Sequence, residues 1–392
     1  MAKQTWVLTD LDQGIFLDEL TLEGDQLGRA ARDCRVNKKR LQGGTSDGVD
    51  VVTVDNGACS IVVVPTRGMG IQRAQVSDLT LGWQSPVKGP VHPQYVPLME
   101  PGGLGWLFGF DELLVRCGLE NNGAPEFSDQ GALTYPLHGR IANRAAHYVS
   151  VSVDSDTGEI EVHGIVDEVR FHFLKLRLHA TLKTRPGERG FRISDRIENL
   201  SDSPAEAQIL YHVNYGVPLL DAGAKLVAPI QQVVPRDAVA AKTMDRWSDY
   251  QGEQPGFDEV VYFFELAADQ TSDTQIVLKN AHGLRGVRMA FNTKQLPCFT
   301  VWKNTTGKSD GYVTGLEPGS NFPNPRSFEG KHGRVIDLAP HGSQSFDLTI
   351  EGLVTAEQVQ EAERQVGHLQ KVVEPQIAKE PREDWCGEPP PL

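Results

Sequence analysis

No apolar run in this chain approaches the roughly 20 residues that a membrane-spanning helix needs. The opening MAKQTWVLTDLDQG also lacks the apolar core of a secretory signal. The expectation is a cytoplasmic protein with no membrane partner. Cysteine is scarce: Cys34, Cys59, Cys117, Cys298 and Cys386 are scattered, odd in number and free of any CxxC pair. That argues against a disulfide framework and against a zinc site, and for buried thiols in a reducing compartment. Basic residues are outnumbered, 38 Lys and Arg against 52 Asp and Glu, for a net charge of −14. Nucleic acid and anionic membranes attract basic surfaces, so neither is an expected partner. No internal repeat is visible.

What the chain does have is period-two patterning. With 392 residues it can form one large domain or two ordinary ones. Leu174, Leu176, Leu178, Ala180 and Leu182 alternate with Lys175, Arg177, His179, Thr181 and Lys183. This predicts a half-buried strand that turns at Pro186-Gly187 and pairs with a strand carrying Phe191, Ile193, Asp195 and Ile197. Val51–Val54 and Cys59–Val64 form a second pair around Asp55-Asn56-Gly57. Further strands are expected near residues 146–153, 160–166, 225–234, 275–278, 287–291, 297–302, 312–316 and 345–350. Many antiparallel strands without helical crossovers predict an all-β fold, one extended antiparallel sandwich.

The ends differ. Residues 1–49 are expected as an N-terminal extension packing on the sandwich, with Leu17–Leu41 charged and irregular, and residues 50–354 as the sandwich itself. Thr355 with Gln358 suits a capping box, and Val359, Ala362, Val366 and Leu369 follow at helical spacing, so residues 355–373 predict a short helix. Residues 374–392, ending EPPPL, read as a loosely held arm.

The chemistry concentrates in four segments. In QILYHVNYG, a strand puts Leu210, His212, Asn214 and Gly216 on one face and Tyr211, Val213 and Tyr215 on the other. Such a strand holds an imidazole rigidly above a cavity. YPLHGRIANR brings His138 and Arg140 onto a loop at a sheet end, where binding groups commonly sit. In GYVTGLEPGSNFPN, alternation places Glu317 on the face of Gly315, which leaves room beside the carboxylate before Pro318-Gly319 ends the strand. In PCFTVWKN, Trp302 offers an apolar platform for a sugar ring and Lys303 a donor. Arg67, in PTRGMGI, is a further cationic candidate. Taken singly, each residue has an ordinary structural explanation; their combination and order carry the functional reading.

That combination resembles the galactose mutarotase-like superfamily, the aldose 1-epimerases. ENLSDSPAEAQILYHVNYG is similar to the segment in which N-L-S-D precedes a histidine strand ending H-x-Y-F-N-L. GLEPGSNFPN is similar to a late L-E-P-Q…N segment, and PLHGRIANRAA to both L-H-G-G and G-R-x-x-N-R, with Arg140 in place of the second glycine. RGMGI, CGLENNGAP, PLHGR and YHVNYGVPLL together resemble an uncharacterised branch of that superfamily, over about Asp50 to Leu353. The resemblance implies a large β-supersandwich and anomer interconversion without metal or cofactor. It implies Glu317 as base at the anomeric hydroxyl, His212 as acid at the ring oxygen, and His138 helping to hold that oxygen. Arg67 and Arg140 would bind hydroxyls or an anionic substituent, Asn214 and Lys303 would donate hydrogen bonds, and Trp302 would stack. A carboxylate gripping sugar hydroxyls falls to Asp245, Asp249 or Asp258. Three functions follow: an aldose 1-epimerase, another sugar isomerase, epimerase or lyase acting on an acidic or phosphorylated sugar, or a non-catalytic carbohydrate binder. The partner in each is a small sugar; oligomeric state is left open.

Overall fold

The computed structural model describes residues 3–387. Two large sheets, of ten and fourteen strands, stack through one inter-sheet core. The predicted alternation is what builds the first sheet. Lys175–Thr184 buries every second residue, and Leu176, Leu178, Ala180 and Leu182 all face the core. It pairs antiparallel with Gly190–Asn199, and both lie in the middle of the ten-stranded sheet. Fully burying one such aliphatic side chain contributes roughly 1.5–3 kcal/mol, so a stripe of this kind pins the register.

The fourteen-stranded sheet positions the site. Its middle runs, in spatial order, Ile230–Pro235, Val260–Leu266, Cys298–Asn304, Val313–Gly319, Ala205–Tyr215 and Leu114–Leu119. Ala205–Tyr215 is buried on both faces from Ala207 onward. Tyr211, Val213 and Tyr215 pack into the inter-sheet core. Leu210, on the His212 face, instead joins Trp106, Phe110, Val115, Cys117 and Ala142 in a separate cluster beneath the loops. Two different environments on one strand follow from the pleat alone.

Several expectations are corrected. Residues 1–49 do not merely pack on the sandwich: Lys3–Asp10 pairs with Tyr148–Asp154 in one sheet, and Glu19–Glu23 and Arg35–Arg40 extend the other. Lys38, in that charged stretch, is buried because Asp50 neutralises it at 3.1 Å. The single strand expected over 225–234 is two, Lys225–Val227 and Ile230–Pro235, one in each sheet. Pro318-Gly319 does end its strand, Val313–Gly319, as its last two residues, which still pair with Phe299 and Cys298 across the ladder. The helix is Ala356–Gln370, capped by the Thr355 side chain, and its Val359, Ala362 and Val366 pack on Val277 and Leu353 of the ten-stranded sheet.

The C-terminal arm is not loosely held where it is described. Gln376–Ile377 adds a parallel strand beside Ile230–Pro235, and Trp385 is buried against Phe322. The EPPPL ending, 388–392, lies outside the described residues. Among the described residues, no helix is long and apolar enough to cross a membrane. All five cysteines are free thiols.

Candidate active site

A cavity of about 530 Å³ opens on the fourteen-stranded sheet, over the His212 face. Its floor is strand: His212, Thr300, Trp302 and Glu317. Its walls are loops carrying Trp83, Trp106, Phe110 and His138, with Arg236 and Glu259 at the ends of neighbouring strands. His138, His212 and Glu317, distant in sequence, therefore line one space.

His212 Nε2 lies 3.3 Å from Glu317 Oε1. Gly315 makes that approach feasible: a Cβ at this position would run into both the Glu317 carboxylate and the His212 ring. Behind the imidazole, Asn214 fixes the tautomer. Its Nδ2 donates to the carbonyls of Glu112 and His212, which turns Oδ1 toward His212 Nδ1 at 2.7 Å. The ring proton accordingly sits on Nδ1, and Nε2 faces Glu317. Asn214 is thus a support for His212, buried beneath it, and is not a donor to a ligand.

His138 sits on the other side of His212, ring centroids 5.2 Å apart, with Trp106 packed on both. Its Nδ1 is bound to the Asn122 carbonyl at 2.9 Å, which leaves Nε2 as the free ring nitrogen. Gly139 is required next to it, at φ 75°, since a side chain there would strike the carbonyls of Asn121 and Gly118.

Burial sets the charges. It lowers the His138 pKa to about 4, against the pull of the Asn122 carbonyl. Burial, reinforced by His138, holds His212 well below the usual imidazole range, and the Asn214 bond opposes it. Burial and then the Glu259 carboxylate push Glu317 well above the usual carboxylate range, while Arg236 pulls it down. Burial therefore favours a neutral imidazole beside a neutral carboxyl over the ion pair of the same two groups. Three buried polar atoms of the lining have no hydrogen-bond partner in the protein: Glu317 Oε1, Thr300 Oγ1 and Trp106 Nε1. Orphaned buried groups are uncommon, and their convergence on one cavity marks it as a place for a polar ligand.

The remaining expectations divide. Trp302 lines the cavity, its Nε1 donating to Glu259 at 2.7 Å. Arg67 does not reach it. The guanidinium is wholly buried, bound to Glu112 at 2.5 Å, Gly109 O at 2.9 Å and Asn143 at 2.9 Å, where it buckles the loops of the cavity wall together. Arg140 is turned away, paired with Glu120 at 2.7 Å. Lys303 points to the opposite face, donating to the Asp249 carbonyl and lying 4.3 Å over the Tyr250 ring. None of Asp245, Asp249 or Asp258 lines the cavity; the carboxylates that do, besides Glu317, are Glu259 and Asp310. Glu259 pairs with Arg236 at 3.0 Å. The sequence signal for this missed pair was faint: a charge at each end of the apolar strands VVP and VVYFFEL. Among the described residues, no three His, Cys, Asp or Glu side chains gather as metal donors.

Two large stacked antiparallel sheets give the chain the galactose mutarotase-like class of fold. Within that class the chain belongs to the family described as a domain of unknown function, DUF4432, whose model matches residues 46–351. A solved structure from Klebsiella pneumoniae subsp. pneumoniae, described as a candidate aldose 1-epimerase, is 36% identical; the match covers 97% of this chain and 99% of that one, with a TM-score of 0.93. The galactose 1-epimerase from Lactobacillus acidophilus shares the fold at 13% identity, covering 81% of this chain and 98% of that one, with a TM-score of 0.53. A galactose mutarotase-like protein from Clostridium acetobutylicum does so at 13% identity and a TM-score of 0.55, covering 82% of this chain and 98% of that one. No curated protein matches the chain.

Proposed function

We propose that this protein is a cytoplasmic aldose 1-epimerase acting on a neutral sugar. The observation that carries the reading is the approach of His212 Nε2 to Glu317 Oε1, 3.3 Å apart on the cavity floor, with Oε1 accepting no hydrogen bond from the protein. Mutarotation asks for one base at the anomeric hydroxyl and one acid at the ring oxygen, and these two oxygens share a single carbon. Glu317, as carboxylate, takes the hydroxyl proton; His212, as imidazolium, delivers its Nε2 proton to the ring oxygen as the C1–O5 bond breaks. The open-chain aldehyde turns about its C1–C2 bond and the steps reverse on the other face. The pair begins as an ion pair and ends neutral, so no proton crosses to solvent during ring opening. Burial favours the neutral form and the sugar's hydroxyls favour the charged one, which brings the two close enough in energy for exchange.

His138 has a different task from holding the ring oxygen. With Nδ1 committed to Asn122, and neutral above about pH 4, it presents a bare Nε2 that accepts from a sugar hydroxyl. The reading as an enzyme of acidic or phosphorylated sugars rested on Arg67 and Arg140, and neither reaches the cavity. The lining arginine, Arg236, is taken by Glu259 and Asp237.

The test is Glu317→Gln, assayed by exchange NMR between sugar anomers. The shape is kept and the base is lost, so turnover falls roughly a hundred- to ten-thousandfold while sugar binding persists. A rate like that of the unsubstituted protein would overturn the assignment.

A further inference from the structure

The aromatic lining continues well past the acid–base pair. Phe110 packs on His212 with centroids 5.2 Å apart, and Trp83 in turn packs on Phe110 with centroids 4.8 Å apart. Trp106 and Trp302 flank His212 itself, at 5.9 and 5.6 Å. Trp83 is therefore a separate platform, one ring removed from the chemistry. It is held in place: its Nε1 donates to the Glu112 carbonyl at 3.2 Å, and Gly311 gives its six-membered ring room that a side chain would fill.

The polar groups at that end suit hydroxyls. Asp310 is exposed and makes neither an ion pair nor a side-chain hydrogen bond among the described residues. Asn304 spends its Nδ2 on the Gly311 carbonyl at 3.3 Å and keeps Oδ1 free. The arginine of the lining, Arg236, is paired with Glu259 and Asp237. The volume agrees: about 530 Å³ lies among sites of roughly 300–1,000 Å³ that bury drug-sized ligands. One pyranose, with a dozen non-hydrogen atoms, is smaller than that.

We propose that the cavity takes a neutral reducing disaccharide, its reducing ring over His212 and Glu317 and its second ring stacked on Trp83 with hydroxyls on Asp310 and Asn304. Trp83 and Asp310 are then specificity-determining residues. Anomeric chemistry needs a free O1, so the second ring is attached elsewhere on the first. The apolar faces of pyranoses cover the indole, as amphipathic ligands do on aromatic walls. This rests on the acid–base reading only for which ring lies innermost.

The experiment is saturation-transfer NMR with maltose, cellobiose and lactose, set against glucose and galactose, together with titration calorimetry. Expected are signals on both rings and affinity on the order of tenfold tighter than for the monosaccharides, a difference of about 1.4 kcal/mol. Trp83→Ala, and Asp310→Ala at an exposed position where folding is not at stake, bring that ratio toward one. Circular dichroism checks the fold of each. Contact on a single ring, or equal affinities, overturns the proposal even if monosaccharide anomers exchange rapidly. Two-ring contact that persists in Glu317→Gln upholds it even if the unsubstituted protein shows no anomeric exchange, a result that would count against the acid–base reading alone.

Discussion

Asn214 Oδ1 accepts the Nδ1 proton of His212 at 2.7 Å, two residues along the same face of one strand. The bond opposes the burial that lowers the imidazole pKa. Asn214→Ala removes it, so the acidic limb of the pH–rate profile, where His212 gains a second proton for the pair, moves to lower pH. The ring also loses its tether, and kcat falls by on the order of a hundredfold, as for a small misplacement of a reacting group. Asn214→Asp moves the same limb upward. A polarimetric pH profile of the three proteins checks both directions; an unmoved limb removes Asn214 from the positioning role.

Gly315→Ala tests the space that joins acid and base. The added methyl meets the Glu317 carboxylate and the His212 ring at once. Overpacking of this kind costs about 1–3 kcal/mol of stability, and separating the pair costs far more in rate than in folding. Expected is a folded protein whose kcat is down by on the order of a hundredfold. Exchange NMR beside a thermal melt distinguishes the two effects.

Acid should weaken the fold through His138. The unfolded chain takes up a proton on this imidazole as pH falls through 6.5, whereas the folded protein resists until about 4. Across that window the unfolded state binds more protons, so stability drops as pH drops. Two to three pKa units correspond to about 3 kcal/mol. Urea melts between pH 7 and pH 4, compared with His138→Gln, should show a flatter dependence in the variant by that amount.

Arg67→Ala should be among the most destabilising single changes. It leaves Glu112 buried without its partner, at a cost of about 3–5 kcal/mol. Arg67→Lys is not a rescue, because a single ammonium does not reproduce a fork that serves Glu112, Gly109, Val91 and Asn143 together. The midpoint of urea unfolding reads the loss.

The floor of the site was legible in the sequence because pleating is local. His212 and Asn214 share a face by counting, and Gly315 and Glu317 follow the same rule on their own strand. The walls were not. Arg236 and Glu259 meet Trp302 only because the chain lays Ile230–Pro235, Val260–Leu266 and Cys298–Asn304 side by side, and that order is a property of the whole sheet. Arg67 and Arg140 read as anion binders because nothing near them announces Glu112 and Glu120, 45 and 20 residues away, as their neutralising partners. The N-terminal strands failed for a related reason: Arg35–Arg40 lies beside the edge strand Glu19–Glu23, and its charges are the polar half of an alternation that only Val36 and the neutralised Lys38 complete.

The parallel strand Gln376–Ile377 and the buried Trp385 brace the turn from Ser320 to Pro323 and the strand that ends beside Arg236. These residues are translated after His138, His212 and Glu317, so the cavity gains that brace only after its floor has been made. A nascent chain stalled before Gln376 would carry His138, His212 and Glu317 and still lack the brace behind one wall of the pocket.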